Sequence, residues 1–95
     1  MAARETRIGI LGDFDPEYRS HHATNASLEH AGKALGRKVC FAWVPTPSLE
    51  LGQAANVLSG YDGLWASPGS PYRSMHGMLA GIEFARVGGR PFVAT

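Results

Sequence analysis

Ser67 to Pro71 reads Ser-Pro-Gly-Ser-Pro, and here the residue types and their spacing point to chemistry. Two prolines and one glycine make the turn rigid. It follows an apolar run, Gly63 to Ala66, and precedes a helical pattern from about Ser74. Its backbone amides and the N-terminus of that helix therefore aim donors at one spot, which is the construction that holds an anion or a developing oxyanion. Gly69 has no side chain, so a substrate can approach the backbone closely. A turn of small residues after a parallel strand is more often simply a turn, so this pattern is weak alone. A second polar turn, Gly12 to Tyr18, carries Asp13, Asp15 and Glu17. Such carboxylates can hold a divalent ion, although turn and cap roles are their commoner use.

The remaining reactive side chains are poor candidates. Cys40 is the single thiol and sits between Val39 and Phe41, inside a strand pattern. A buried cysteine acting as a small hydrophobe is the expected reading. His21 and His22 would point about 100° apart on a helix, so they suit a solvated helix start better than a shared metal. His30 reads as a surface residue or a satisfied edge residue. His76 opens the helix after the key turn, where facing the pocket competes with plain exposure. Met75 and Met78 read as core.

These groups need a scaffold, and the pattern supplies one. Arg7 to Leu11 is an apolar run without alternation, which suits a strand buried on both faces. A helix is expected from Ser20 to Leu35, with Leu28, Ala31 and Leu35 on its apolar face and Gly36 as a left-handed cap. Lys38 to Val44 is a second strand. Thr46 then Pro47 look like an N-cap and first helical residue, opening a helix whose apolar face is Leu51, Ala54, Ala55 and Leu58. Gly63 to Ala66 is a third strand. Met75, Met78, Leu79 and Ile82 stripe a helix from about Ser74 to Val87, closed by Gly88-Gly89. Pro91 to Thr95 is a fourth strand. Strands alternating with helices predict parallel β-α-β units with right-handed crossovers. The expected fold is α/β, flavodoxin-like and three-layered, with helices on both faces of a parallel sheet in order 2-1-3-4, truncated after the fourth strand. One sheet edge and part of one face would then be bare.

With 95 residues, the chain makes one small domain at most. It is 44% apolar and 18% charged, with net charge +1 and no basic stripe, so no nucleic-acid footprint appears. No apolar run is long enough to span a bilayer, and Met-Ala-Ala-Arg-Glu-Thr-Arg lacks the apolar centre of a signal peptide. One cysteine permits no internal disulfide, and the cytoplasm is the expected location. No cofactor is expected.

Asp62-Gly63-Leu64-Trp65-Ala66-Ser67-Pro68-Gly69-Ser70-Pro71-Tyr72-Arg73, followed by Gly77, Phe84-Ala85-Arg86 and Pro91-Phe92, resembles the glutamine amidotransferase domain of CTP synthases. That family reads Asp-Gly, three apolar residues, Pro-Gly-Gly-Phe-Gly-x-Arg-Gly, a helix with Phe/Trp-Ala-Arg, then Pro-Phe/Tyr and a strand into a catalytic elbow. Leu28-Glu29-His30-Ala31-Gly32 and Ile8-Gly9-Ile10-Leu11-Gly12 resemble earlier family segments, so the likeness covers nearly the whole chain. It implies that residues 1–95 are the N-terminal half of a class I glutamine amidotransferase domain. Gly69 matches the glycine whose backbone binds L-glutamine and lends an oxyanion-hole amide. Ser70 would supply the second amide. Arg73 matches the loop arginine, with Tyr72 just before it. Ser67-Pro68 replaces Pro-Gly and Ser70-Pro71 replaces Phe-Gly, and Pro71 has no N–H to donate.

The same resemblance puts the family's nucleophilic cysteine directly after Thr95, with its histidine and glutamate further on. No catalytic residue is therefore assigned within the chain, which is expected to be silent by itself. A break at a random site would seldom fall at the nucleophile. The expectation is a UGA codon at position 96, read as selenocysteine or as a nonsense change, with a short paralogue or a fragment as the plainer alternative. A non-catalytic reading also stands: a small flavodoxin-like module that binds an anion at Ser67 to Ser70 and homodimerises through its bare edge.

Overall fold

The computed structural model describes residues 5–36, 38–67, 72–89 and 91–94. Its four strands are β1 (Glu5–Leu11), β2 (Lys38–Val44), β3 (Gly63–Ala66) and β4 (Phe92–Ala94). All pair in parallel, in the order β2-β1-β3-β4, as the alternation of elements predicted. Leu11 ends the central strand between Val44 and Ala66, so the carboxyl ends of β1, β2 and β3 lie level. The ladder runs one step further, with Gly12 N–H donating to the Val44 carbonyl and Ser67 N–H to the Leu11 carbonyl, each at 3.0 Å.

Helix α1 (Arg19–Leu35) joins β1 to β2, and Gly36 closes it at φ 63°, a left-handed conformation that favours glycine. Right-handed crossovers put α1 on one face and the later helices on the other, because the chain reverses direction across the sheet after β2. The later elements are a 3₁₀ turn (Thr46–Leu49), helix α2 (Ala54–Leu58) and helix α3 (Met75–Gly88). Leu11, Val44, Leu49, Leu58, Leu64, Ala66, Met78 and Ala85 build the core between this second layer and the sheet. Helix α3 comes close because it faces the core with glycines. A Cβ on Gly81 would lie 2.7 Å from Leu11 Cδ1, and one on Gly77 would lie 1.8 Å from the Thr46 carbonyl oxygen.

Several expectations need correction. The single helix after β2 is broken, because Leu51 (φ 56°) and Gly52 (φ 75°) are both left-handed. The break buries Leu49 and Leu58 completely and leaves Leu51 96% exposed. Thr46 is not an N-cap to that helix; it is buried and bonded to Asp13 and Ser74. On α1 the buried residues are His21, Thr24 and Gly32, while Leu35 is 70% exposed. The N-terminal half of α1 docks on β2 through Trp43, whose indole N–H donates to Asn25 Oδ1 at 2.7 Å. Its expected apolar stripe, Leu28, Ala31 and Leu35, instead lines an open groove of about 390 Å³ with Thr6, Ile8 and Val39. On α3, Met78 is core as expected, but Met75 and Leu79 are each 55% exposed, because the glycine face takes the position against the sheet. Val93 on β4 is 54% exposed.

Candidate functional site

Asp13 lies directly beyond the end of β1, the position where open α/β sheets bind ligands. Gly12 makes that approach possible, since a Cβ there would fall 2.1 Å from Ser67 Oγ. Asp13 Oδ1 accepts the Thr46 N–H at 2.9 Å. Its Oδ2 accepts both the Thr46 hydroxyl at 2.8 Å and the Arg73 N–H at 2.9 Å. The Thr46 oxygen in turn accepts the Ser74 N–H at 2.8 Å. Ser74 caps α3 by accepting the Gly77 N–H at 3.0 Å, and its hydroxyl donates to Glu50 Oε1. One carboxylate thus ties together the ends of β1 and β2 and the entry to α3.

The other side of the turn is tied as well. Tyr72 donates its hydroxyl to the Ser67 carbonyl at 2.7 Å, closing a loop between the end of β3 and the residue before Arg73. Burial, and then the Asp13 charge, push the Tyr72 phenol up, so it stays a donor. Partial burial alone would push the Asp13 carboxyl up. The hydrogen bonds from Arg73 and Thr46, with the Arg73 charge, outweigh it and hold the carboxyl below the usual aspartate value.

Beside this clamp lies a cavity of about 470 Å³ lined by Gly12, Asp13, Phe14, Asp15, Tyr18, Trp43, Pro45 and Arg73. His21 packs behind three of these residues, Phe14, Tyr18 and Trp43. The ring is 3% exposed, packs 4.6 Å from Trp43 and 5.1 Å from Tyr18, and accepts the Asp15 N–H at its Nδ1 at 3.0 Å. This corrects the expectation of a solvated His21: the aromatic cluster gives it a place inside. His22 stays outside, bonded to the Pro16 carbonyl at 2.8 Å, and His30 and His76 are exposed.

No family model matches the chain. It is 30% identical over 91 residues to a CTP synthase of Campylobacter jejuni subsp. doylei, spanning 96% of this chain and 17% of that protein. It is 32% identical over 88 residues to a CTP synthase of Acidobacterium capsulatum, covering 93% of this chain and 16% of the relative. The glutaminase domain of Trypanosoma brucei CTPS, solved with bound acivicin, superposes with a TM-score of 0.80 at 24% identity, over 94% of this chain and 35% of that one. The chain is CTP synthase-like. It spans about a sixth of the length of the curated relatives it matches. The fold is that of the glutaminase domain, as the flavodoxin-like expectation required.

In this CTP synthase-like frame the expected site residues divide. Gly69 and Ser70 lie outside the described residues. Tyr72 and Arg73 are described, and both are drawn to the carboxyl edge of the sheet, Tyr72 through Ser67 and Arg73 through its N–H to Asp13. Asp15 serves its own turn, its Oδ1 accepting the Glu17 N–H at 2.9 Å, whereas Asp13 bonds to Thr46 and Arg73. Among the described residues no group of three or more His, Cys, Asp or Glu side chains could hold a metal ion. Cys40 is half-buried rather than buried, and its thiol donates to Glu5 Oε1 at 2.8 Å. That bond, with some burial and the Glu5 charge, pushes the thiol pKa up, the opposite of what a nucleophile needs. No described helix is long and apolar enough to cross a membrane.

Sequence reasoning missed Thr46 and Glu50 as members of the site, and offered Asp13 only as a divalent-ion ligand or turn former. The one signal available was position: an acid directly after the first strand of a parallel sheet stands at its ligand edge.

Proposed function

We propose that this chain carries the glutamine-binding part of a CTP synthase-like glutaminase. The turn from Ser67 to Arg73 holds L-glutamine, and the amides of Gly69 and Ser70 form the oxyanion hole. In acyl transfer, a nucleophile attacks the side-chain amide carbonyl, and those amides stabilise the negative oxygen that develops. Ammonia leaves, and water then releases glutamate from the acyl-enzyme. The attacking group, its base and the orienting carboxylate come from outside residues 1–95; Cys40, bonded to Glu5 on an edge strand, is unsuited to the role.

The observation that carries this reading is the likeness to CTP synthases over 96% of the chain. Charge at the sheet edge agrees with it. Asp13 and Asp15 face the same cavity as Arg73. An amino acid offers an ammonium for the acids and a carboxylate for the arginine, whereas phosphate offers only negative charge. This favours glutamine over the anion-binding alternative. Homodimerisation through the exposed sheet edge goes with either reading and is read from sedimentation.

The test is titration of the chain with L-glutamine, D-glutamine, inorganic phosphate and nucleotides, followed by thermal shift and amide NMR. A ligand that binds only the folded chain raises its melting temperature with concentration. Stabilisation by L-glutamine alone, lost in Gly69→Pro, which removes one amide donor, is the expected result. Stabilisation by phosphate with no response to L-glutamine would refute the reading.

A further inference from the structure

We propose that the cavity beside Asp13 is a seat for a small organic ammonium ion, held by the rings of Phe14, Tyr18 and Trp43 and by the Asp15 carboxylate. These four groups lie among the described residues, on the first turn, the start of α1 and the end of β2. The inference therefore stands whether or not glutamine binds the chain.

The rings are set in place before any ligand arrives. His21, 3% exposed, touches all three: its centroid lies 5.9 Å from that of Phe14, 5.1 Å from Tyr18 and 4.6 Å from Trp43. The same imidazole accepts the Asp15 N–H, and Asn25 fixes the Trp43 indole. One buried side chain thus positions the rings and the acid together, which lowers the ordering cost of binding. Phe14 and Trp43 are tilted by 51° with centroids 5.1 Å apart, so they make a corner rather than a stack. Phe14 and Tyr18 keep 42% and 46% of their surface open. The face of an aromatic ring is negative and attracts a cation within about 6 Å of its centre.

Charge in the cavity favours the same ligand. Asp13 is engaged: Thr46 and Arg73 donate three hydrogen bonds to it, and the Arg73 charge opposes its own. Asp15 is not. Its Oδ1 accepts the Glu17 N–H, and no described residue donates to its Oδ2. Arg73 is exposed, where water and salt screen it, whereas Asp15 is half-buried. What remains for a ligand is one carboxylate oxygen and three ring faces. A metal ion needs more oxygen or nitrogen ligands than that. A small alkylammonium matches both features, with its charge on Asp15 and its methyl or methylene groups on the rings.

The experiment titrates the full chain, at constant ionic strength, with tetramethylammonium, methylammonium, choline and 3,3-dimethyl-1-butanol, the uncharged carbon isostere of choline. NMR follows the Trp43 indole N–H and the Asp15 amide. The expected result is that the ammonium probes shift both signals and that the isostere binds at least about fivefold more weakly than choline. Phe14→Leu keeps apolar bulk but removes a ring face, and should weaken choline by about two- to fivefold. Asp15→Asn keeps the Glu17 N–H bond through its carboxamide oxygen and removes the charge; binding should weaken and lose its dependence on salt. Two sources of the ammonium are separated by competition. Displacement of tetramethylammonium by L-glutamine, but not by glutaramic acid, which lacks the ammonium, makes the seat the ammonium pole of that amino acid. Absence of displacement by L-glutamine leaves a free amine as the occupant. Equal binding of choline and its isostere, or shifts with inorganic phosphate alone, would overturn the inference; neither result needs a variant to fold. L-Glutamine that fails to bind while choline binds would sink the glutaminase reading and leave the seat standing.

Discussion

Replacing Gly77 with alanine should destabilise the chain far more than replacing Gly81, although both glycines lie on one helix and face the same layer. In a helix alanine is favoured over glycine by about 0.5–1 kcal/mol, so both changes begin with a gain. The difference is what the new methyl meets. At Gly77 it would lie 1.8 Å from the Thr46 carbonyl oxygen and 2.7 Å from the Thr46 carbonyl carbon. That is backbone, fixed on one side by Asp13 and on the other by Ser74, and it has no rotamer to change. Relief requires α3 to move away by more than 1 Å, at roughly 1–3 kcal/mol for overpacking. The Ser74–Thr46 bond then stretches beyond use and the Asp13–Arg73 bond strains, at about 1 kcal/mol each. The net cost is about 2–4 kcal/mol, or a fall in melting temperature of roughly 10–25 °C for a domain of this size. At Gly81 the methyl meets the ends of Leu11 and Leu49, at 2.7 and 3.2 Å. Flexible side chains can give way, and the net cost should stay below about 1.5 kcal/mol. Thermal and urea unfolding followed by circular dichroism would measure both. A Gly77→Ala chain that melts at or above the wild-type temperature, or a larger loss at Gly81, would refute the account of how α3 docks.

Other predictions concern the same edge. Gly12→Ala should cost about 1–3 kcal/mol, because its Cβ would fall 2.1 Å from Ser67 Oγ. Ser67→Ala should be neutral or stabilising, since that buried hydroxyl has no partner among the described residues. The double variant should recover more than the sum of the two, with a coupling of about 1 kcal/mol or more in urea unfolding. Asp13 has a folded pKa below its unfolded value of about 3.9, so its contribution is complete above that value and fades as pH falls through the folded one. The stability gap between wild type and Asp13→Asn should therefore be constant near neutrality and shrink below about pH 4; a gap that widens on acidification would reverse the sign. Cys40 should alkylate more slowly than a free thiol at about pH 8.5, and Glu5→Gln should speed it, since the Glu5 carboxylate holds the proton on sulfur.

The sheet order, the strand bounds of β2 and β3, and the left-handed cap at Gly36 were legible because they follow from local rules. Apolar runs bounded by turn residues mark buried parallel strands, and glycine alone takes the cap conformation cheaply. The helix faces were less legible. A stripe such as Leu28, Ala31 and Leu35 states which residues would be buried if the helix lay centred on a covered sheet. It does not say that α1 leans on β2 through Trp43, His21 and Thr24 and leaves its stripe over an open groove. Likewise the pattern Leu51, Ala54, Ala55, Leu58 fits one helix, whereas two successive left-handed residues turn Leu51 out and Leu49 in. Leu51 at positive φ carries a strain that no propensity rule anticipates.

The site divides along the same line. The turn from Ser67 to Arg73 was visible because its residues are contiguous and match a family pattern. Its support was invisible because Asp13 reaches Thr46 across 33 positions and Arg73 across 60. Neither partner is unusual for its place: a threonine before a proline looks like a helix cap, and an aspartate in a polar turn looks like a turn former. Each does bond to backbone N–H, as those readings require, but Asp13 reaches the N–H groups of distant elements, and Thr46 that of Ser74. The parallel sheet explains the exchange. It brings the ends of β1, β2 and β3 level, so a short acid after one strand lies within reach of amides that follow the others. A residue that would cap its own turn in isolation then does better by holding three chain segments with one charge. Nothing in the spacing of these residues marks that choice; it exists only once the strands are paired.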